Sequence, residues 1–126
     1  MNLPPAAHYP AILVFCTCPD ESQALDIARI LVGEGLAACV NRLPAVTSVY
    51  RWEGRVCEQS EPLLLIKTTQ ARYEALELRL KALHPYEVPE IIAIPVVAGS
   101  GQYLAWLATA TDAPAAVSTS LSVKPP

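Results

Sequence analysis

The order in which short apolar runs and amphipathic stretches follow one another constrains the fold of this chain most. Residues 11–17 (AILVFCT), 63–68 (LLLIKT) and 90–97 (EIIAIPVV) are continuous apolar runs rich in β-favouring residues, which is typical of buried strands. Between these runs, one helical pattern follows Asp20 and stops at Gly33 and Gly35, and a second occupies about 70–84. The sequence therefore predicts strands and helices in alternation along a single small domain.

A long β-hairpin is predicted between the two helices. A strand starts at about 37–41, and Pro44 interrupts it, which indicates a bulge or an edge. Polar and apolar residues then alternate from Val46 to Trp52, and Glu53-Gly54 is a hairpin turn signal. We expect the hairpin over 45–62 to project beyond the body of the domain.

The complete order of elements is β-α-β-β-α-β, followed by a short helix that Ser100 caps and that ends at about Ala110. This order predicts the α+β class: a ferredoxin-like split β-α-β-β-α-β sandwich, with an antiparallel sheet and both main helices on one face. The folded domain is predicted over 10–111. Residues 1–9 are predicted to be a flexible arm, and residues 112–126, rich in Ala, Ser and Pro, a disordered tail.

Charge and hydropathy exclude several classes of partner. The net charge is −3 without a Lys/Arg cluster, so we expect no nucleic acid partner. No run of 18 apolar residues occurs, which argues against a membrane partner. Residues 1–10 lack the basic residues of a secretory signal, so we expect a cytoplasmic protein with reduced cysteines. Charged residues make up only 17% of the chain, which favours a surface covered by another subunit.

Two cysteines and one histidine are the residues best suited to metal chemistry. Cys16 and Cys18 are two residues apart on a strand, so their side chains share a face and could hold a soft ion such as Cu(I). Free cysteines are, however, often buried as small hydrophobes. His84 suits copper or zinc, and its alternative role is to end the second helix. The sequence contains no phosphate loop, HExxH motif or nucleophile triad pattern, so we expect no enzyme.

Six segments together identify a family. They are CTCPD (16–20), GLAACVN (35–41), LPAVTSVYRWEG (43–54), LLLIKT (63–68), HPYEVPEI (84–91) and YLAWL (103–107). Through them the chain resembles the CutA proteins, the divalent-cation tolerance family, over about 11–110. The resemblance implies a ferredoxin-like fold, a tight homotrimer similar to the PII signalling proteins, and tolerance to copper and other divalent cations.

The resemblance also implies site residues. The metal positions attributed to the family match Cys16 and His84, and this chain has Leu83 where some members carry a second histidine. Cys18 stands where family members usually have a small residue without a thiol. We therefore predict a copper site, open to other divalent cations, at Cys16, His84 and Cys18.

Other residues of the matched segments point to a cleft between subunits. Lys67 lies in an otherwise apolar strand, so its ammonium needs either an exit to solvent or a carboxylate partner, for which Glu90 is the candidate. With Tyr86 and Tyr103 this pair would form a polar cleft, or simply a structural ion pair. Trp52 and Trp106 suit a subunit interface. The alternative function is therefore a PII-like signalling or scaffold trimer that binds a small molecule or an unidentified protein in this cleft.

Overall fold

The computed structural model describes residues 10–112. The predicted arm (1–9), and the predicted tail apart from Asp112, lie outside the described residues. Within the described part, strands and helices alternate as follows: β1 (Ala11–Thr17), α1 (Glu21–Gly33), β2 (Cys39–Trp52), β3 (Arg55–Thr69), α2 (Tyr73–Leu83), β4 (Ile92–Pro95) and α3 (Gly101–Ala110). The sheet is antiparallel with the strand order β2-β3-β1-β4. This confirms the predicted α+β class and the β-α-β-β-α-β order.

Local sequence signals fix both ends of α1. The Asp20 carboxylate accepts a hydrogen bond from the backbone N–H of Gln23 at 2.8 Å, which satisfies a donor that the first turn leaves free. At the other end Gly35 has φ 71°. Glycine adopts this left-handed conformation at no steric cost, so it lets the chain turn back toward the sheet. Both signals were predicted from the sequence.

The long hairpin is also confirmed. Glu53 and Gly54 form its turn with φ values of 51° and 78°, as a two-residue turn between twisted strands requires. The register of β2 on β3 shifts between Leu43 and Val46, at the predicted interruption by Pro44. Only residues 63–69 of β3 also pair with β1. The half of the hairpin nearer the turn therefore extends past the rest of the sheet.

Two elements differ from their predicted bounds. The second helix starts with a 3₁₀ turn at Gln70–Arg72, and its α-helical part is Tyr73–Leu83. The last strand pairs with β1 only over Ile92–Pro95, shorter than the predicted 90–97. Proline has no N–H for the ladder, so Pro95 limits the pairing of this edge strand.

The main core lies between one face of the sheet and helices α1 and α2, as predicted. Apolar side chains of β1 and β3 meet those of both helices there. The largest of them that are fully buried are Ile12, Val14, Leu31, Leu64, Ile66, Leu76 and Leu80. Burial of such side chains is the dominant favourable term in folding.

The opposite face of the sheet is only partly covered. Helix α3 packs over one end of it, where Ala11, Ala38 and Leu107 form a small second cluster. The Arg72 guanidinium donates hydrogen bonds to the carbonyl oxygens of Thr111 and Asp112 and so holds the end of this helix. Within residues 10–112, none of the helices has the length and apolar character needed to cross a membrane.

Candidate metal centre

The end of β1 and the end of α2 bring three potential metal ligands together. Cys16 lies on the helix-facing side of β1, and alternation of side chains places Cys18 on the same side. The backbone N–H of Cys18 donates to the Pro62 carbonyl at 3.0 Å, which continues the pairing with β3. His84 ends α2, and its backbone N–H bonds the Leu80 carbonyl at 2.8 Å.

The three side chains form a compact, enclosed cluster. One ligand atom of each residue, Cys16 Sγ, Cys18 Sγ and a His84 ring nitrogen, lies within 4.8 Å of the other two. Both cysteines are fully buried, and His84 is 7% exposed. Both are free thiols. The residues predicted as metal ligands therefore meet at one place, and the cysteines also serve as core residues.

Hydrogen bonds hold the His84 ring in one orientation. Its Nε2 lies 2.7 Å from the Thr17 carbonyl oxygen. Because a carbonyl can only accept, Nε2 carries the proton and donates. The Nδ1 atom accepts a hydrogen bond from the backbone N–H of Tyr86 at 3.2 Å. The Tyr86 ring packs on the imidazole with centroids 4.7 Å apart. His84 is thus both the end of the helix and a positioned member of the cluster.

The pKa values of the two thiols are shifted in opposite directions. Contact with Cys16 lowers the pKa of the Cys18 thiol below its ordinary value, against the effect of burial, and His84 lowers it further. The same contact, together with burial, raises the pKa of Cys16 far above its ordinary value. Burial opposes the charged imidazole, but contacts with Cys18 and the Thr17 carbonyl raise the pKa of His84 overall. Of the two thiols, Cys18 is therefore the more acidic.

A buried tyrosine–glutamate pair supports the cluster from the side. The Tyr86 hydroxyl donates to Glu61 Oε2 at 2.6 Å, and the Glu61 side chain is buried although it is a carboxylate. Burial, followed by the bond to Glu61, raises the pKa of the Tyr86 hydroxyl above its ordinary value. Since Tyr86 also contacts the His84 ring, this pair helps to fix the imidazole.

Replacing Tyr86 with phenylalanine is expected to lower the free energy of unfolding by about 1–3 kcal/mol, because it leaves the buried Glu61 carboxylate without its donor. Tyr73→Phe is the matched control. The Tyr73 hydroxyl also bonds a carboxylate, that of Glu77, at 2.9 Å, but the Glu77 side chain is 36% exposed and water can replace the donor. Chemical denaturation of both variants tests this, and equal losses would contradict a special role for Glu61.

The residues predicted to form the cleft divide between two places. Lys67 lies on the sheet face opposite the cluster, with its ammonium 5.8 Å from the centroid of the Tyr103 ring. Trp106 packs beside Tyr103 with ring centroids 5.4 Å apart. A cation–π contact of this kind stabilises the ammonium in place of a carboxylate.

Lys67 and Glu90 do not form an ion pair within the described residues of one chain. Within residues 10–112, the ion pairs join Arg42 to Glu21, Arg79 to Glu34 and Lys81 to Glu77. Glu90 is exposed, and its charge acts on Cys16, where it adds to the raised pKa of that thiol. The loop that follows α2 carries Glu90 toward the cysteines, which strand and helix patterns alone do not show.

The other residues near the cluster and at the hairpin tip were predicted from the sequence to different extents. Trp52 lies exposed at the tip of the hairpin, next to its turn. Tyr86, predicted for the cleft, contacts His84 and Glu61 beside the cluster of Cys16, Cys18 and His84. Glu61 itself was missed. It directly precedes Pro62 and the buried run of β3 and ends a polar stretch, so its pattern is that of a solvated residue.

Comparison with known proteins matches nearly the whole described domain. The family model described as "CutA1 divalent ion tolerance protein" matches residues 12–110. The divalent-cation tolerance protein CutA of Thermus thermophilus is 54% identical over 95 residues, covering 75% of this chain and 92% of that protein. Human protein CutA is 46% identical over 111 residues, which are 88% of this chain and 60% of the human protein.

Solved structures agree with the sequence matches. The Thermus thermophilus divalent cation tolerance protein has a TM-score of 0.79 at 51% identity, covering 80% of this chain and 98% of that one. CutA from Xylella fastidiosa has a TM-score of 0.80 at 48% identity, covering 82% and 99%. With the family model matching most of the chain and relatives near half identity, this protein belongs to the CutA1 divalent ion tolerance family.

Proposed function

We propose that this chain is a metal-binding protein of divalent-cation tolerance, not an enzyme, that takes up copper or a similar ion at Cys16, Cys18 and His84. The observation that carries the proposal is the meeting of three ligand atoms within 4.8 Å in the interior of the domain. The names of the relatives, which refer to tolerance of divalent cations, favour the same function.

The donor set fits a transition-metal ion. Two thiol sulfurs and one imidazole nitrogen are the ligands that copper and zinc prefer, whereas magnesium and calcium require oxygen ligands. The cluster is connected to a surrounding shell: Thr17 accepts from His84 Nε2–H, and Tyr86 contacts the ring. Such contacts orient metal-bound histidines and strengthen them as donors.

Each residue would contribute in a defined way. Cys18 is the more acidic thiol and would lose its proton first, and Cys16 would give up its proton when a metal binds. The Thr17 carbonyl keeps the proton of His84 on Nε2, so the lone pair lies on Nδ1. Burial of all three side chains excludes water and competing ligands.

The proposal is tested by copper titration of the reduced protein by calorimetry, with native mass spectrometry for the stoichiometry. We expect about one ion per chain, and loss of that binding in the Cys16→Ser, His84→Ala double variant. Cys39 and Cys57 lie outside the cluster, so Cys39→Ser with Cys57→Ser is the matched control and should bind as the parent does. Unchanged affinity in the first double variant would remove the proposed site.

We further propose that the working form is a cytoplasmic homotrimer with a PII-like arrangement. The support is the sheet face away from α1 and α2, where a row of apolar side chains is left half-buried or exposed. In register across three strands they are Leu13, Phe15, Leu63, Leu65, Ile92 and Ile94. Ile92 and Ile94 are 56% and 47% exposed. A contiguous apolar surface of this kind is typical of an interface between subunits.

A second candidate function is ligand or partner binding by a signalling trimer. The observation that favours it is the Lys67 ammonium held over the Tyr103 ring, beside Trp106, on the sheet face that the trimer would use. A cation over an aromatic ring, on a face that would meet another subunit, suits an anionic ligand. Affinity capture with the parent and with Lys67→Ala tests it, and failure to find any ligand or partner that depends on Lys67 would remove it.

A further inference from the structure

We propose that the Cys16–Cys18–His84 cluster selects a monovalent soft ion, Cu(I), over divalent ions, and that Cys18 provides this selectivity. The inference rests on the proposed function and specifies its ligand. It follows from the number and type of donors, from the hydrogen bonds that already engage the histidine and from the enclosure of the site.

The donors are soft and few. Within residues 10–112, the cluster contains two sulfurs and one nitrogen and no carboxylate. The nearby Glu61 carboxylate already accepts the Tyr86 hydroxyl at 2.6 Å. Thiolates select Cu(I), whereas divalent ions that prefer oxygen ligands would have to compete for the Thr17 carbonyl, which already accepts from His84. Zinc in structural sites is almost always held by four ligands, so the cluster is one ligand short for it.

Both ring nitrogens of His84 already take part in hydrogen bonds. Nε2 carries a proton that it donates to Thr17, so only the Nδ1 lone pair is available, and it already accepts from the Tyr86 N–H at 3.2 Å. An ion must compete with that hydrogen bond. The two sulfurs are therefore the primary ligands, and the site is a two- or three-coordinate one. Closed-shell Cu(I) is satisfied by so few ligands, whereas divalent copper and zinc require more.

Geometry and enclosure agree with this assignment. A sulfur–metal–sulfur unit with bonds of about 2.3 Å spans at most about 4.6 Å, and the two sulfurs lie within 4.8 Å of each other. Both cysteines are fully buried, so water is not at hand to complete the shell of a divalent ion. Without Cys18 the pair of sulfurs is lost, and only Cys16 and the hydrogen-bonded His84 remain as ligands.

Competition titrations test the inference on the full chain. Cu(I) is titrated anaerobically against a chromophoric Cu(I) chelator, Ag(I) serves as a monovalent probe without redox chemistry, and Zn(II) is titrated against a zinc chelator. We expect Cu(I) and Ag(I) to bind at about one ion per chain. Their affinity should fall by about 100-fold or more in Cys18→Ser and in Cys18→Ala. Zn(II) binding should be weak and unchanged by either substitution. Cys39→Ser is the control and should keep full Cu(I) affinity, and circular dichroism verifies that each variant is folded.

The outcomes separate this inference from the proposed function. If Zn(II) or Cu(II) occupies the cluster more tightly than Cu(I), and Cys18→Ser abolishes that binding, the metal site stands and the selectivity for a monovalent ion is overturned. If Cu(I) binds equally well in both Cys18 variants, the role of Cys18 is overturned. If no ion binds in a way that depends on Cys16 or His84, both the inference and the proposed function fail.

Discussion

Replacing Leu80 with alanine is expected to lower the free energy of unfolding by about 2–5 kcal/mol. Leu80 is fully buried where α2 packs on the sheet, in the same cluster as Leu64 and Leu76. Removing its side chain loses the transfer free energy of the missing methyl groups and leaves a cavity that close-packed neighbours fill only in part. Chemical denaturation at one fixed protein concentration measures the loss, because subunit association would otherwise change the apparent stability.

Leu78→Ala is the control on the same helix. Leu78 is 73% exposed, against 0% for Leu80, so the same chemical change should alter stability by no more than about 0.5 kcal/mol. Helix propensity is affected equally in both variants, because leucine and alanine are both good helix formers. Losses of similar size at the two positions would contradict the placement of α2 on the core.

Replacing Leu65 with glutamate is expected to dissociate the proposed homotrimer into monomers. Leu65 is half-buried in the middle of the open sheet face, paired with Phe15 on β1. A carboxylate at the centre of an apolar interface loses its hydration without gaining a partner, which costs several kcal/mol per subunit. Sedimentation velocity on the parent and on the variant measures the change in mass.

Leu78→Glu carries the same charge on the exposed face of α2 and should sediment with the same assembly mass as the parent protein. Circular dichroism distinguishes dissociation from unfolding in the Leu65 variant. A Leu65→Glu protein that keeps the mass of a trimer would show that the open sheet face is not the interface. A parent protein that sediments as a monomer would contradict the trimer itself.

The fold was predictable because its signals are local and agree with one another. Asp20 and Gly35 mark the ends of α1, and Glu53-Gly54 marks the hairpin turn, each through backbone chemistry that acts within a few residues. The element order then leaves few topologies for an antiparallel sheet with two helices on one face. The short β4 was harder to delimit, because its pairing depends on the length of β1 that remains available at the sheet edge.

The metal cluster was predictable only in part. Alternation along β1 places Cys16 and Cys18 together, but no local rule brings them to His84, which lies at the end of another element; the family resemblance provided that connection. The support from Glu61 and Tyr86 was not found, because the two residues meet from distant parts of the chain. The contact of Lys67 with the Tyr103 ring was not predicted either, because it joins β3 to the distant helix α3.

The most direct test of the metal centre is X-ray absorption spectroscopy of the reduced protein loaded with copper at less than one ion per chain. Two sulfur neighbours at about 2.3 Å from the copper are predicted, because Cys16 and Cys18 are the proposed primary donors. The sulfur signal should disappear in the variant that lacks both thiols, Cys16→Ser with Cys18→Ser. A copper shell made only of nitrogen and oxygen neighbours would contradict the account, because it would place the ion at the protein surface.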